Sequence, residues 1–470
     1  MTTDHINFTF KKLFNYFWIA ITGKESEFTS GSIRRAIFML SIPMILEMLM
    51  ESIFALVDIA YVSQVSVNAV ATIGLTESVV TLIYAVAIGL SMAATAVVSR
   101  RIGEKDIQGA KESAVQAIAL GILVSLIVGV FGFIYAKEIL SIMGAEPDLI
   151  SEGYGYTQLL LGGNSTIMLL FLINAIFRGA GDASIAMWAL VLSNGLNIIL
   201  DPLFIFGWGP IPEYGVMGAA IATNIGRGTA VLFQLGILFF GWGRIKLAFT
   251  DLILNTKVMF NLIRVSLGGI AQFLIGTSSW VFLMRMMSEF GSEVLAGYTI
   301  AIRVMLFTLM PSWGMSNAAA TLVGQNLGAN KPERAETSVW KTGKYNAYFM
   351  GLVSVIYLLY AKNIVGWFNA TPAVVESGGL CLQIIAAGYI FYAYGMVVTQ
   401  AFNGSGDTGT PTRINLIAFW AFQLPFAYLA AFYFKLGAMG VFMAITLAEV
   451  LLAIISIVLF KKGKWKSFQV

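Results

Sequence analysis

Charge is scarce in this chain of 470 residues. Only 11% of its side chains are Asp, Glu, Lys or Arg, whereas 58% are hydrophobic. A soluble domain carries roughly a quarter charged residues. This chain cannot solvate its own surface, so lipid must cover much of it. Cysteine is almost absent: Cys381 stands alone, which excludes an internal disulfide and any cysteine-rich metal site. Histidine is equally rare. His5 lies in the polar N-terminal stretch, so no histidine relay can carry protons inside a membrane. No zinc-type H-E-x-x-H, G-x-S-x-G elbow or Walker-type phosphate loop occurs, so neither enzymatic chemistry nor ATP-driven pumping is expected. No cleavable signal peptide is expected, because the first long apolar run follows about thirty mostly polar residues. The net charge of +4 does not point to nucleic acid, since most Lys and Arg fall in short segments between apolar runs.

Long apolar runs are what the chain has in quantity. Twelve are long enough to cross a bilayer, near 36–62, 70–98, 114–136, 156–177, 184–208 and 215–240, then 259–286, 295–324, 341–361, 380–402, 413–434 and 437–460. The two sets are copies. Gly103 in AATAVVSRRIG and Gly328 in AAATLVGQNLG stand 225 residues apart. Gly179, Gly181 and Asp182 in FRGAGD repeat at the same spacing as Gly404, Gly406 and Asp407 in FNGSGD. The glycines Gly404, Gly406 and Gly409 fit G-x-G-x-x-G in form, but they follow no strand and read as a tight turn between helices. The expected fold is therefore all-α and polytopic: two six-helix lobes related by a pseudo-two-fold axis along the membrane normal.

Basic residues set the expected orientation. Arg34, Arg35, Arg100, Arg101, Arg244, Lys246, Lys331, Arg334, Lys461 and Lys462 fall on one side, against Lys137, Arg285, Lys362 and Lys435 on the other. Both termini should be cytoplasmic, in a multi-pass protein of the cell (inner) membrane. The expected domains are a cytoplasmic N-terminal tail over 1–31, an N-lobe over 32–241, a linker over 242–258, a C-lobe over 259–461 and a basic cytoplasmic tail over 462–470. The aromatic, lysine-bearing stretch 8–21 would suit an interfacial helix as well as a loose tail.

Acids inside spans are costly and mark function. The first span carries Glu47, Glu51 and Asp58, which at roughly 100° per residue fall within about 40° of one face. Pro43, four residues before Glu47, removes a backbone hydrogen bond and allows a bend. The fifth span carries Asn197 and Asp201 one turn apart, and Pro202 leaves the Ile198 carbonyl without its helical donor. The fourth span adds Asn174 and the sixth Thr223. The duplication is an internal control. At the 225-residue offset Asp58 becomes Leu283, Asp201 Phe426, Asn197 Phe422, Asn174 Thr399, Glu47 Gln272 and Glu51 Gly276. An acid needed only for folding would be expected in both copies, so the first lobe is read as the ion-coupled one. Glu77 and Glu449 suit hydrogen-bonded structural acids equally well, and Arg227 and Arg303 suit snorkelling or pairing to a carboxylate.

The segments SIP…LVDIAYV, GLSMAATAVVSRRIGEKD, FRGAGD, NGLNIILDPLFIFG, AAATLVGQNLGAN and FNGSGDTGTPT resemble the multidrug and toxic compound extrusion (MATE) transporters, from about residue 32 to 460. The resemblance implies two lobes forming a V and export of organic, often cationic, compounds in exchange for H⁺ or Na⁺. It carries a coupling site onto Asp58, Asn174, Asn197 and Asp201, with Thr223 as the hydroxyl nearest the family's pattern. Na⁺, if used, is expected at Asp58, Asn197 and Asp201. Glu47 and Glu51 are extra cavity acids relative to that pattern. Expected partners are small organic molecules and membrane lipid, without nucleic acid, and the chain is read as a monomer. No cofactor is expected beyond the coupling ion. The rival readings are a lipid or lipid-linked saccharide flippase of related fold, and a channel or non-transporting receptor.

Overall fold

The computed structural model describes residues 14–23, 27–241 and 243–470, leaving aside the side chains of Ile59 and Val67. Twelve apolar segments long enough to cross a bilayer run through it. They are α1 (Ile33–Val62), α2 (Asn68–Gly103), α3 (Ile107–Ile134), α4 (Pro147–Ala180), α5 (Ala183–Ile205) and α6 (Val216–Phe240). After these come α7 (Thr256–Phe290), α8 (Ser292–Gly328), α9 (Pro332–Phe368), α10, α11 (Gly409–Tyr433) and α12 (Ala438–Lys461). The tenth is broken into Pro372–Ala387 and Tyr389–Ser405, bent by 57° at Gly388. α1 stays helical through Pro43, and α5 through Pro202.

The repeat seen in the sequence is a repeat of contacts. Gly103 of α2 lies so close to the Gln325 backbone of α8 that a side chain there would strike its carbonyl, and Gly328 stands in the same way against the Arg100 carbonyl. Arg100 and Gln325 are themselves 225 residues apart, so each contact is the rotated image of the other. Gly89 and Gly314 form a second such pair. A Cβ would lie 2.7 Å from the Ile270 nitrogen at Gly89 and 2.8 Å from the Ile45 nitrogen at Gly314. Thus α2 crosses α7 as α8 crosses α1, backbone against backbone, which only glycine permits at that separation. Both FRGAGD and FNGSGD end their helices on a glycine in the left-handed region, Gly181 at φ 95° and Gly406 at φ 92°.

These crossings gather toward the ends of α2 and α8 and the starts of α1 and α7, the face that also carries both described chain ends. There the lobes are tied further. Thr321 of α8 donates to the Arg178 carbonyl at 3.1 Å, and Gln325 to the Gly179 carbonyl at 3.0 Å.

Outside the spans the described segments are packed rather than loose. α7 starts at Thr256, so the break between the sixth and seventh spans ends earlier than residue 258. This break is packed, because Ile245 and Leu247 alternate with basic residues and are buried against the N-lobe core. Residues 464–470 are docked. Trp465 is fully buried and stacks on Phe460 at 4.5 Å, Lys466 pairs with Glu336 at 2.6 Å, and the Phe468 carbonyl accepts from Arg100. Residues 1–13 of the expected N-terminal tail, and with them most of the lysine-bearing part of 8–21, lie outside the described residues. From Phe14 the chain is helical to Thr22, and Trp188 donates to the Ile21 carbonyl at 2.8 Å.

Candidate functional site

Two groups of polar side chains sit inside the first lobe, at different depths along α1. The deeper into the chain of the two is built by Asp58, Asn197 and Asp201. Asn197 and Asp201 occupy one face of α5 a turn apart, and the Asn197 amide donates to Asp201 Oδ1 at 3.0 Å. Asp201 is 0% exposed and Asp58 9%. Asp201 Oδ2, Asn197 Oδ1 and Asp58 Oδ1 are buried with no hydrogen-bond partner among the described residues. Asp58 and Asp201 are within electrostatic reach of each other, and Tyr156 of α4 feels both. Three acceptor oxygens with nothing donated to them are what a proton or a small hard cation requires.

Glu47 and Glu51 are differently placed. Glu47 Oε1 accepts from Arg178 at 2.5 Å and from the Asn174 amide at 3.1 Å, in a buried ion pair between α1 and α4. Gln234 of α6 donates to Asn174 in turn. Glu51 pairs with Arg227 of α6 at 3.1 Å, and that guanidinium also reaches the Tyr84 hydroxyl at 3.3 Å and lies 4.8 Å over the Phe54 ring. The three acids of α1 thus share a face, but two of them are ion-paired, whereas Asp58 has no ion pair among the described residues and lies only within electrostatic reach of Arg227. Asn174 directs its hydrogen bonds to Glu47 and Gln234 and makes none to Asp58 or Asp201. Thr223 is buried on α6 and makes no hydrogen bond to either aspartate among the described residues. Across the lobes, Glu77 of α2 is within electrostatic reach of Arg303 of α8.

The second lobe shows what these positions look like without charge. A π-helical stretch in α11 inserts one residue after Ala418, so the buried places of Asn197 and Asp201 fall to Gln423 and Ala427 rather than to Phe422 and Phe426, which stack beside them with ring centroids 5.4 Å apart. Leu283, at the place of Asp58, is 0% exposed in the apolar core. The counterpart of Arg178 is Asn403. It meets Gln272, the counterpart of Glu47, with Gln272 donating to Asn403 Oδ1 at 3.0 Å. The first lobe's ion pair has a neutral amide pair as its twin. Arg178 was missing from the sequence expectation because it precedes a turn on the basic face, like any topological arginine. The signal was there: Glu and Arg in one copy become Gln and Asn together in the other. Tyr84, Tyr156 and Gln234 carried no comparable mark.

Twelve membrane-length helices around an uncompensated acidic pair in one of two like lobes define a membrane transporter rather than an enzyme. The profile of the MatE family matches residues 43–203 and 270–429, once in each copy, and the chain belongs to that family. Over 448 residues it is 27% identical to the probable multidrug resistance protein NorM of Thermotoga maritima, covering 92% of this chain and 93% of that protein. A FAD transporter of Shewanella oneidensis is 24% identical over 425 residues, covering 90% and 94%. A solved structure described as the outward-facing conformation of a multidrug resistance MATE family transporter matches with a TM-score of 0.86 and 27% identity, covering 92% of this chain and 96% of that one.

Proposed function

We propose that this protein exports small organic molecules, often cationic, in exchange for H⁺ or Na⁺ taken up at Asp58 and Asp201. The observation that carries this reading is the contrast between lobes: unsatisfied carboxylate oxygens in one, a buried glutamine, alanine and leucine at the same places in the other. Burying an unsatisfied acid is expensive, and the twin lobe folds with no acid at the matched positions. The cost goes with exchange rather than with folding. The relatives' names support organic cargo, and the FAD transporter among them widens its class beyond cations.

In the reading's cycle the cavity opens to the exterior while the basic face, set in the cytoplasm of a cell-membrane protein, is sealed by the glycine crossings. An ion arriving from outside neutralises Asp58 and Asp201. Their negative field no longer holds a cationic cargo, and α1, weakened at Pro43, repacks against α5 and α6. The lobes then rock, and the ion leaves inward. Asp201 Oδ2, Asn197 Oδ1 and Asp58 Oδ1 are the atoms that would receive the ion. Efflux of a fluorescent organic cation from proteoliposomes, driven in turn by ΔpH and by ΔpNa, tests this. Coupled flow under either gradient agrees with exchange. Downhill flow indifferent to both would indicate a channel, and no flow a receptor or flippase.

A further inference from the structure

We propose that Glu449, with Tyr392 set opposite it, is a second proton-binding site in the C-lobe. The proposal deepens the exchange reading above by adding a second proton to the cycle. Glu449 lies halfway along α12, on the inward stripe formed with the buried residues Ile445, Ala448, Leu452, Ala453 and Ser456. It makes no hydrogen bond or ion pair among the described residues, and its side chain is partly accessible. In the packed structure its first-lobe counterpart is Arg227, because α6 opens on Gly215 and Gly218 as α12 opens on Gly437 and Gly440, 222 residues later, and Arg227 is ion-paired to Glu51. Asn224, which donates to the Leu159 carbonyl at 2.9 Å, has Thr446 as its counterpart, donating to the matching Ile384 carbonyl at 3.1 Å, so that tie is kept without Glu449.

The surroundings point to a ligand. Tyr392 is within electrostatic reach of Glu449, and of Tyr389, Tyr298 and Cys381. The hydroxyls of Tyr392 and Tyr298 are buried with no partner, although the residues are only 3% and 0% exposed. Their first-lobe counterparts are Ile167 and Ile73, so neither hydroxyl belongs to the shared fold. Unsatisfied buried hydroxyls beside an unpartnered carboxyl cost free energy that apolar residues would avoid. The rings are closely set, with Tyr298 stacked on Phe442 at 6.1 Å and Tyr389 edge-on to Tyr357 at 5.9 Å and to Tyr392 at 5.8 Å. That packing suits a proton on the carboxyl rather than an organic cation. Helix α12 packs against α7, α10 and α11; Gly388 and Gly395 of α10 seat against Thr446 and Ala453, which sets Tyr392 opposite Glu449, and no cation on these helices is within electrostatic reach of the carboxyl.

Infrared difference spectra of the full-length protein in lipid nanodiscs, titrated with acid, test this directly. A protonated-carboxyl band that is lost in Glu449→Gln, persists in Asp58→Asn/Asp201→Asn, and moves its midpoint in Tyr392→Phe is the expected result. That outcome holds whether or not transport is ion-coupled, so it separates this site from the exchange reading. In proteoliposomes, the ΔpH balancing a fixed cargo gradient should correspond to one proton fewer per cycle in Glu449→Gln. Spectra of Glu449→Gln identical to the parent, or a carboxyl signal that responds to Na⁺ and not to acid, would overturn the proposal.

Discussion

Asp201 and Glu47 each keep one buried oxygen without a partner, but the other oxygen of Asp201 meets only the neutral Asn197 amide, whereas that of Glu47 is ion-paired to Arg178 and also accepts from Asn174. The difference sets two opposite expectations. Asp201→Asn or Asp58→Asn removes an exchangeable charge without leaving a buried partner bare. Either should abolish gradient-driven efflux in proteoliposomes while the protein still elutes as a folded species and melts near the parent temperature. Glu47→Gln strands Arg178 in a buried site, and breaking such a pair costs about 3–5 kcal/mol. Its melting temperature in detergent should fall clearly. The double variant Glu47→Gln/Arg178→Asn copies the neutral pair that Gln272 and Asn403 already form in the other lobe. It should recover most of the lost stability and retain efflux. Efflux abolished in a stable double variant would place Glu47 among the exchanging acids instead.

At the scale of elements, the glycine crossings decide how the lobes meet. A valine at 328 would drive its side chain into the Arg100 carbonyl, an obstacle that no rotamer change removes. Gly328→Val should pry α8 from α2 on the basic face. With Cys381→Ala as background, a cysteine placed at Thr321 should be alkylated by a membrane-impermeant maleimide from that face much faster when Gly328→Val is present. Equal rates would mean that the crossing is not the seal. α5 and its twin α11 show a second contrast. α5 is α-helical across Asn197 and Asp201, whereas α11 widens to π-helix over Leu416–Gln423 and Leu429–Tyr433. Such widenings commonly sit at functional sites, yet here the widened helix carries the rings and the regular one the acid.

Across the whole molecule, two outer segments bridge the lobes on one face. Residues 28–31 give their carbonyls to Arg334 of α9, at 3.2 Å from Phe28, 2.7 Å from Ser30 and 2.9 Å from Gly31. Residues 464–470 bury Trp465 in the C-lobe and lay Val470 against the N-lobe core. A bridge held by an indole and an Arg100 hydrogen bond must loosen before that face can open. Removing residues 464–470 should widen the distance distribution between spin labels at Gln108 and Glu333, exposed positions related by the repeat. An unchanged distribution would show that the segment follows the lobes without restraining them.

The spans, the doubled architecture and the acids worth examining were legible in the sequence, because each is a local property. Apolar length is set residue by residue, a repeat is set by spacing, and an acid in an oily run is conspicuous wherever it points. Partnership was not legible. Glu47, Glu51 and Asp58 look alike along α1, and their fates are decided by Arg178 on α4, Arg227 on α6 and the absence of any cation bonded to Asp58. Those partners lie more than a hundred residues away, and only packing brings them within hydrogen-bond reach. Sequence alone determined that this chain crosses a membrane twelve times in two like halves and carries acid in only one copy of several matched positions. Tertiary structure decided which of those acids are ion-paired and which have no cation bonded to them among the described residues, since a charge is compensated by what lies beside it in space.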